Sequence, residues 1–116
     1  MKKNKIVGIT FGSFDLCHFG HALMFEECKE FCDYLIVGVQ SDPSIDRPEK
    51  NRPIQSHKER MGIVSSLKFV DEIIPYDTEA DLIGLSAPAI NLIVLSTIND
   101  DTLLFIFLEE CNKVGI

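Results

Sequence analysis

The chain has 116 residues, of which 46% are hydrophobic and 25% charged, a composition typical of one globular domain and not of a disordered chain. Its formal net charge of −7 argues against a nucleic-acid or anionic-membrane surface, although a few cations in one pocket still permit a nucleotide ligand. No apolar segment is long enough to span a membrane and no signal-peptide cleavage pattern follows the basic start, so we expect a single cytoplasmic domain over residues 1–116.

The chain begins with a predicted strand at 6–11, followed by a Gly-bearing turn and a helix at about 19–31. The near-continuous apolar run at 33–39 is typical of a buried parallel strand. The polar segment 41–54 is predicted to be a long loop, because Pro43, Pro48 and Pro53 prevent a long helix there.

The second half continues the same alternation. Ser56 and Glu59 form a capping-box pattern that places a helix start at Ser56. A short strand at 69–75, a weak helix at about 78–85 and a buried strand at 91–95 are predicted next. The final segment is either a helix capped at 99–101 and reaching Cys111, or a strand over 103–108. This order predicts an α/β, Rossmann-like parallel sheet with helices on both faces, which binds ligands beyond the carboxyl ends of its strands.

The four cysteines do not have the spacing of a zinc ribbon, and a cytoplasmic setting disfavours disulfides. Cys28 and Cys32 lie four residues apart on one helix face, where they either hold a metal or pack in the core. We favour packing, because both belong to an apolar stripe with helical spacing.

The segment 10–21, Thr-Phe-Gly-Ser-Phe-Asp-Leu-Cys-His-Phe-Gly-His, indicates the chemistry. It places His18 and His21 three residues apart at a helix start, so that both imidazoles face one bound group. A helix N-terminus presents free N–H groups and the positive end of the helix dipole, which together favour phosphate. We therefore interpret the two histidines as stabilising charge on a phosphate undergoing substitution. The alternative is that both are structural, since His21 also begins an apolar stripe.

Other residues near this segment have two interpretations each. Gly12 and Gly20 permit close approach of a phosphate, whereas Gly12 alone also suits a tight turn. Asp15 either binds Mg²⁺ or a polar ligand group, or caps the helix. Arg60, on an inward-facing stripe, either pairs with a carboxylate or reaches a phosphate.

Basic side chains also occur in the Pro-rich loop. Arg47, Lys50 and Arg52 suit a mobile cover for an anionic acceptor, or they are merely solvated.

These motifs together resemble the cytidylyltransferase-like nucleotidyltransferases, and among them the glycerol-3-phosphate cytidylyltransferases. Segment 10–21 resembles the His-x-Gly-His signature and 33–42 resembles the second strand of that group. Segments 58–60 and 68–75 resemble its Glu-Arg helix and its Val-Asp-Glu strand. The resemblance covers about residues 5–75.

The resemblance implies a homodimeric enzyme that uses Mg²⁺ and moves CMP from CTP to a small phosphorylated alcohol, releasing pyrophosphate. Glycerol 3-phosphate is the favoured acceptor; phosphoethanolamine, phosphocholine, or a sugar phosphate with ATP are alternatives. Carried over by position, the catalytic residues are His18, His21, Lys50 and Arg60. The nucleotide pocket would be lined by Thr10, Phe11, Gly12, Ser13, Phe14, Asp15 and Gly20. The acceptor would contact Asp42, Arg47 and Lys50.

Two segments differ from the family pattern. Ser96-Thr97-Ile98 follows the strand at 91–95, where relatives carry a Gly-Asp-Asp-like segment. We also expect the chain to lack the family's C-terminal Arg-Thr-x-Gly-Ile-Ser-Thr type motif, because it stops at Val114-Gly115-Ile116. A second class of function therefore stays open, a nucleotide-binding or dimerising protein without turnover.

Overall fold

The structure is a computed structural model that describes residues 6–81, 90–96 and 103–107. Its elements, in chain order, are β1 (Val7–Gly12), α1 (Phe19–Lys29), β2 (Tyr34–Gln40), α2 (His57–Ser65), β3 (Glu72–Tyr76), β4 (Leu92–Ser96) and β5 (Leu103–Phe107).

The strands form one sheet in the order β3-β2-β1-β4-β5. The first four strands are parallel, and β5 pairs antiparallel with β4. From β1 the chain proceeds outward through β2 and β3, and then returns to the other side of β1 as β4. The strand order therefore reverses beside β1, and ligands of open parallel sheets bind at such a reversal, beyond the carboxyl ends of the strands. The predicted α/β, Rossmann-like fold is confirmed.

Most predicted elements lie within a few residues of the observed ones. The Pro-rich segment 41–54 contains no helix or strand, as predicted. For the final segment the strand interpretation is correct and the helix interpretation is wrong, because 103–107 pairs along β4. Right-handed crossovers place α1 and α2 on the same face of the sheet. The helix expected at 78–85, which would cover the opposite face, falls mostly outside the described residues.

The core lies between the sheet and these two helices. Phe25, Leu35 and Val64 are fully buried, one each from α1, β2 and α2. Cys28 and Cys32 pack in the same cluster, as predicted. Burial raises the pKa of the Cys28 thiol to about 12, so it stays protonated and is a poor metal ligand. In the described part of the chain, no helix has the length and hydropathy needed to cross a bilayer.

Candidate functional site

His18 and His21 form a capping box at the start of α1. His18 is the N-cap residue, with extended backbone, and its Nδ1 accepts a hydrogen bond from the Gly20 N–H at 2.9 Å. In return, the His18 N–H donates to Nδ1 of His21 at 3.0 Å. Two imidazoles thus perform the roles that a serine and a glutamate usually perform in this motif.

The capping box determines which tautomer each neutral ring adopts. Because each Nδ1 accepts a hydrogen bond, a neutral ring carries its proton on Nε2. The ring centroids lie 4.3 Å apart. Within the described ranges neither Nε2 has a protein partner. The pair therefore presents two adjacent N–H donors at a helix N-terminus, where backbone N–H groups and the helix dipole also favour an anion.

His21 is biased toward its neutral form. Burial, and secondly the charge of His18, lower the pKa of its imidazole. The ring edge of Phe14 packs against it, with centroids 5.7 Å apart at an interplanar angle of 75°. This packing orients the ring and supplies part of the desolvation.

Gly20 allows the His18 ring to lie against the helix start. A Cβ at Gly20 would lie 2.7 Å from Cε1 and 3.0 Å from Nδ1 of His18. No larger residue fits without displacing the ring that Gly20 itself hydrogen-bonds. The glycine between the two histidines is thus explained by a close approach within the site.

A cavity of about 210 Å³ opens at the carboxyl end of β1, next to His21. Its lining contains five of the residues predicted to bind nucleotide, together with a methionine one turn further along α1: Thr10, Phe11, Gly12, Ser13, Phe14 and Met24. The structure therefore brings the predicted pocket segment and one of the two histidines to one concave surface. Met24 was not singled out from the sequence as a site residue, and its place one turn after His21 was the available signal.

The backbone that leads from β1 into α1 is strained. Phe14 and Leu16 have φ of 52° and 51°, the left-handed region that residues with a Cβ rarely adopt. Such conformations persist only where surrounding contacts hold them, and they concentrate at binding sites.

Asp15, between these two residues, is bound to the end of the Pro-rich loop. Its carboxylate accepts hydrogen bonds from the N–H groups of Ile54 at 2.8 Å and Gln55 at 3.0 Å. These bonds, first that of Gln55 and then that of Ile54, lower the pKa of Asp15, so it is ionised near neutral pH. The interpretation of Asp15 as a helix cap is wrong, because His18 occupies that position.

Arg60 on α2 is 1% exposed, and its hydrogen bonds to the described residues all end on backbone carbonyls. Its Nη1 donates to Ser13 at 2.9 Å and to Gln40 at 2.5 Å, its Nη2 donates to Ser41 at 2.5 Å, and its Nε donates to Gln55 at 3.0 Å. These carbonyls belong to the segment after β1, to the last residue of β2 and the residue after it, and to the residue before the N-cap of α2. In this arrangement Arg60 connects the loop after β1 to both ends of the loop between β2 and α2, and its contact with a nucleotide phosphate stays a prediction.

Of the three residues predicted to bind an acceptor, two bond other side chains of the protein and one does not. Asp42 accepts from Ser44 and lies 3.4 Å from Nε of Arg52. Arg47 forms an exposed ion pair with Glu79 at 3.1 Å. Lys50 is exposed, and its ammonium has no partner among the described side chains. The acceptor role of these residues stays a prediction.

The described residues do not provide a metal centre. They contain no group of three or more histidine, cysteine, aspartate or glutamate side chains that could hold an ion. Both carboxylate oxygens of Asp15 already accept backbone hydrogen bonds. The described side chains therefore do not fit a Mg²⁺ ion held by the protein alone.

Comparison with known proteins shows the family of this chain. The family described as cytidylyltransferase-like matches residues 9–103. The bifunctional protein HldE of Paramagnetospirillum magneticum is 40% identical over 90 residues, 75% of this chain and 18% of that protein. The FAD synthase of Thermococcus sibiricus is 40% identical over 73 residues, 63% of this chain and 49% of that protein.

A solved structure has the same fold over nearly the whole chain. The crystal structure of the lipopolysaccharide core biosynthesis protein from Thermoplasma volcanium GSS1 matches with a TM-score of 0.71 and 29% identity. The match covers 97% of this chain and 90% of that chain. By contrast, the chain spans about a fifth of the HldE relative and about half of the FAD synthase.

Proposed function

Because the chain belongs to the cytidylyltransferase-like family, whose members are nucleotidyltransferases, we propose that it transfers a nucleotidyl group from a nucleoside triphosphate to a small phosphorylated acceptor. The observation that carries this proposal is the capping box of His18 and His21, which turns both Nδ1 atoms inward, leaves Nε2–H as the donor of each neutral ring, and places His21 in the lining of the β1 cavity. The family-level resemblance is confirmed, whereas the narrower glycerol-3-phosphate cytidylyltransferase identity stays a prediction.

In the proposed reaction an oxygen of the acceptor's phosphate attacks the α-phosphorus of the triphosphate. A new P–O bond forms, the bond from the α-phosphorus to the bridging oxygen breaks, and pyrophosphate leaves with that electron pair. The step needs alignment and stabilisation of charge spreading over the phosphoryl oxygens more than covalent help from the protein. Two preorganised N–H donors at a helix N-terminus suit this task.

The acceptor would enter beneath the Pro-rich loop. Two arginines of this loop form ion pairs, Arg47 with Glu79 and Arg52 with Asp42, and both arginine side chains are largely exposed. Exposed pairs of this kind are worth at most about 1 kcal/mol, so an incoming phosphate can compete for the guanidinium groups. Lys50 is unpaired among the described residues and supplies a further cation for the same anion.

Two substrate pairs stand first. The first pair is ATP with a sugar phosphate. The name FAD synthase denotes an adenine dinucleotide product, which favours ATP as the nucleotide. Lipopolysaccharide core is built of sugars, which favours a sugar phosphate as the acceptor. CTP with glycerol 3-phosphate is second, followed by phosphocholine and phosphoethanolamine. Mg²⁺ enters the proposal as part of the magnesium–triphosphate substrate, since phosphate oxygens are its usual ligands in such sites. The homodimer implied by the resemblance is also proposed, and sedimentation velocity tests it.

Pyrophosphate release tests the proposal. The purified chain would be incubated with Mg²⁺, with ATP or CTP, and with each acceptor in turn, and a reaction without acceptor would be the control. We expect acceptor-dependent release with one nucleotide–acceptor pair. Nucleotide binding without release from any pair would instead support the class without turnover, and absence of both would overturn both interpretations.

A further inference from the structure

Gln55, the residue before the N-cap of α2, joins two loops through both its side chain and its backbone. Its Oε1 accepts a hydrogen bond from the Leu16 N–H at 2.9 Å, and its own N–H donates to Asp15 at 3.0 Å. Its carbonyl accepts from Nε of Arg60 at 3.0 Å. The end of the Pro-rich loop is thereby bound to the segment between β1 and α1. No sequence motif marks this residue, because its role depends on a partner 39 positions away.

The segment between β1 and α1 contains Leu16, whose backbone conformation needs hydrogen bonds from other segments to hold it. Leu16 has φ of 51°, and its side chain is half-exposed, so packing does little to hold this conformation. The hydrogen bond from its N–H to Gln55, beside a weaker interaction of the same N–H with the Asp15 carboxylate, holds the peptide plane there. Two residues later, the His18 N–H donates to Nδ1 of His21. A change in the backbone at Leu16 therefore moves the donor that fixes the His21 ring.

We propose that Gln55 is a positioning residue for the histidine pair. By accepting from Leu16, its side chain holds the entry into α1 in the one conformation that closes the capping box of His18 and His21. By its backbone bonds to Asp15 and Arg60, it also connects the end of the Pro-rich loop to the segment between β1 and α1 and to α2. Its effect on rate rests on the proposed transfer reaction, whereas its effect on the imidazoles does not.

Two variants of Gln55 separate the acceptor oxygen from the bulk of the side chain, and a third variant elsewhere is the control. Gln55→Met keeps the length and removes the acceptor, and Gln55→Glu keeps an acceptor oxygen in the same place. Ser66→Ala is the control. It also removes one hydrogen bond between a side chain and the backbone, the bond that the Ser66 hydroxyl donates to the Ile63 carbonyl, but at the far end of α2. Both positions are exposed or half-buried, so we expect each variant to fold.

The primary readout is the ¹⁵N chemical shift of the imidazole nitrogens in the full chain, near pH 8. In the wild type we expect both histidines in the form with hydrogen on Nε2 only. Gln55→Met should show a mixture of tautomers at His18 and His21, whereas Gln55→Glu and Ser66→Ala should match the wild type. Turnover is the second readout: we expect kcat to fall about tenfold or more in Gln55→Met, with KM changing much less, because only the alignment of the donors is lost.

Unchanged imidazole signals in Gln55→Met would overturn the proposal, as would an equal disturbance in the Gln55→Met and Gln55→Glu variants. A wild type without turnover on any substrate pair would refute the proposed function, and the imidazole spectra would still decide the role of Gln55.

Discussion

The substitution His18→Asn separates the structural role of a site histidine from its chemical role. The Oδ1 of asparagine and the Nδ1 of histidine are both bonded to Cγ, so the substituted side chain keeps an acceptor for the Gly20 N–H in the same place. Asparagine is also among the best N-cap residues. The outward Nε2–H donor, in contrast, is absent from the shorter side chain.

The expected magnitudes differ sharply between the two roles. Loss of one preorganised donor to a transition-state oxyanion costs about 10²- to 10³-fold in kcat, about 3 to 4 kcal/mol. Because the cap is kept, the free energy of unfolding of His18→Asn should change by less than about 0.5 kcal/mol. His18→Ala should lose the same activity and, in addition, about 1 kcal/mol of stability, a fall in Tm of about 4 °C.

The assay is pyrophosphate release under saturating substrate, with thermal unfolding followed by circular dichroism on the same samples. His21→Asn is the companion variant, since it keeps an acceptor for the His18 N–H in the same way. A His18→Asn variant with wild-type kcat would refute the reasoning, because the histidine would then act only as a cap. Activity losses that follow Tm across the three variants would refute it equally.

Three further predictions follow from the same geometry. Gly20→Ala should lower kcat by about tenfold or more, because the new Cβ displaces the His18 ring. Tm should not fall, because alanine favours the helix more than glycine does. A wild-type kcat in this variant would contradict the prediction. Arg60→Lys should lower the free energy of unfolding by about 2 to 4 kcal/mol in urea titration, because one ammonium cannot reach all four of the carbonyls that the guanidinium bonds; an unchanged midpoint would show that those bonds contribute little. The pKa of His21 is lowered from its ordinary 6.5, so the stability linked to its neutral form is fully present above pH 6.5 and is lost as pH falls through the lowered value. Tm should therefore fall more between about pH 7 and about pH 5 in the wild type than in His21→Asn, and equal falls would exclude His21 as the cause.

The sequence was sufficient for the architecture because each parallel strand is a short apolar run bounded by turn residues. The helix start at Ser56 was predictable to the residue, since a capping box is a local pattern. The last strand was ambiguous because six consecutive apolar residues suit a helix or a strand equally, and only its pairing with β4 decides.

The position of the cavity was predictable from the sequence, but the hydrogen bonds around it were not. Strand, glycine turn and two histidines placed the site at the end of β1, where the cavity lies. The hydrogen bonds of the Arg60 and Gln55 side chains could not be predicted, because their partners are backbone groups of residues far away in sequence. A buried arginine that bonds carbonyls has the same sequence pattern as one that reaches a phosphate, so only coordinates distinguish the two.

Transfer of an α-phosphorus label tests the central claim most directly. Wild type and a His18→Asn/His21→Asn double variant would be incubated with ATP or CTP labelled at the α- or the γ-phosphate, together with the acceptor panel. We expect the α-label to appear in a product joined to the acceptor and the γ-label in pyrophosphate, with both lost in the folded double variant. Label moving from the γ-position to the acceptor, or equal transfer by the double variant, would contradict the account of the histidine pair as the centre of nucleotidyl transfer.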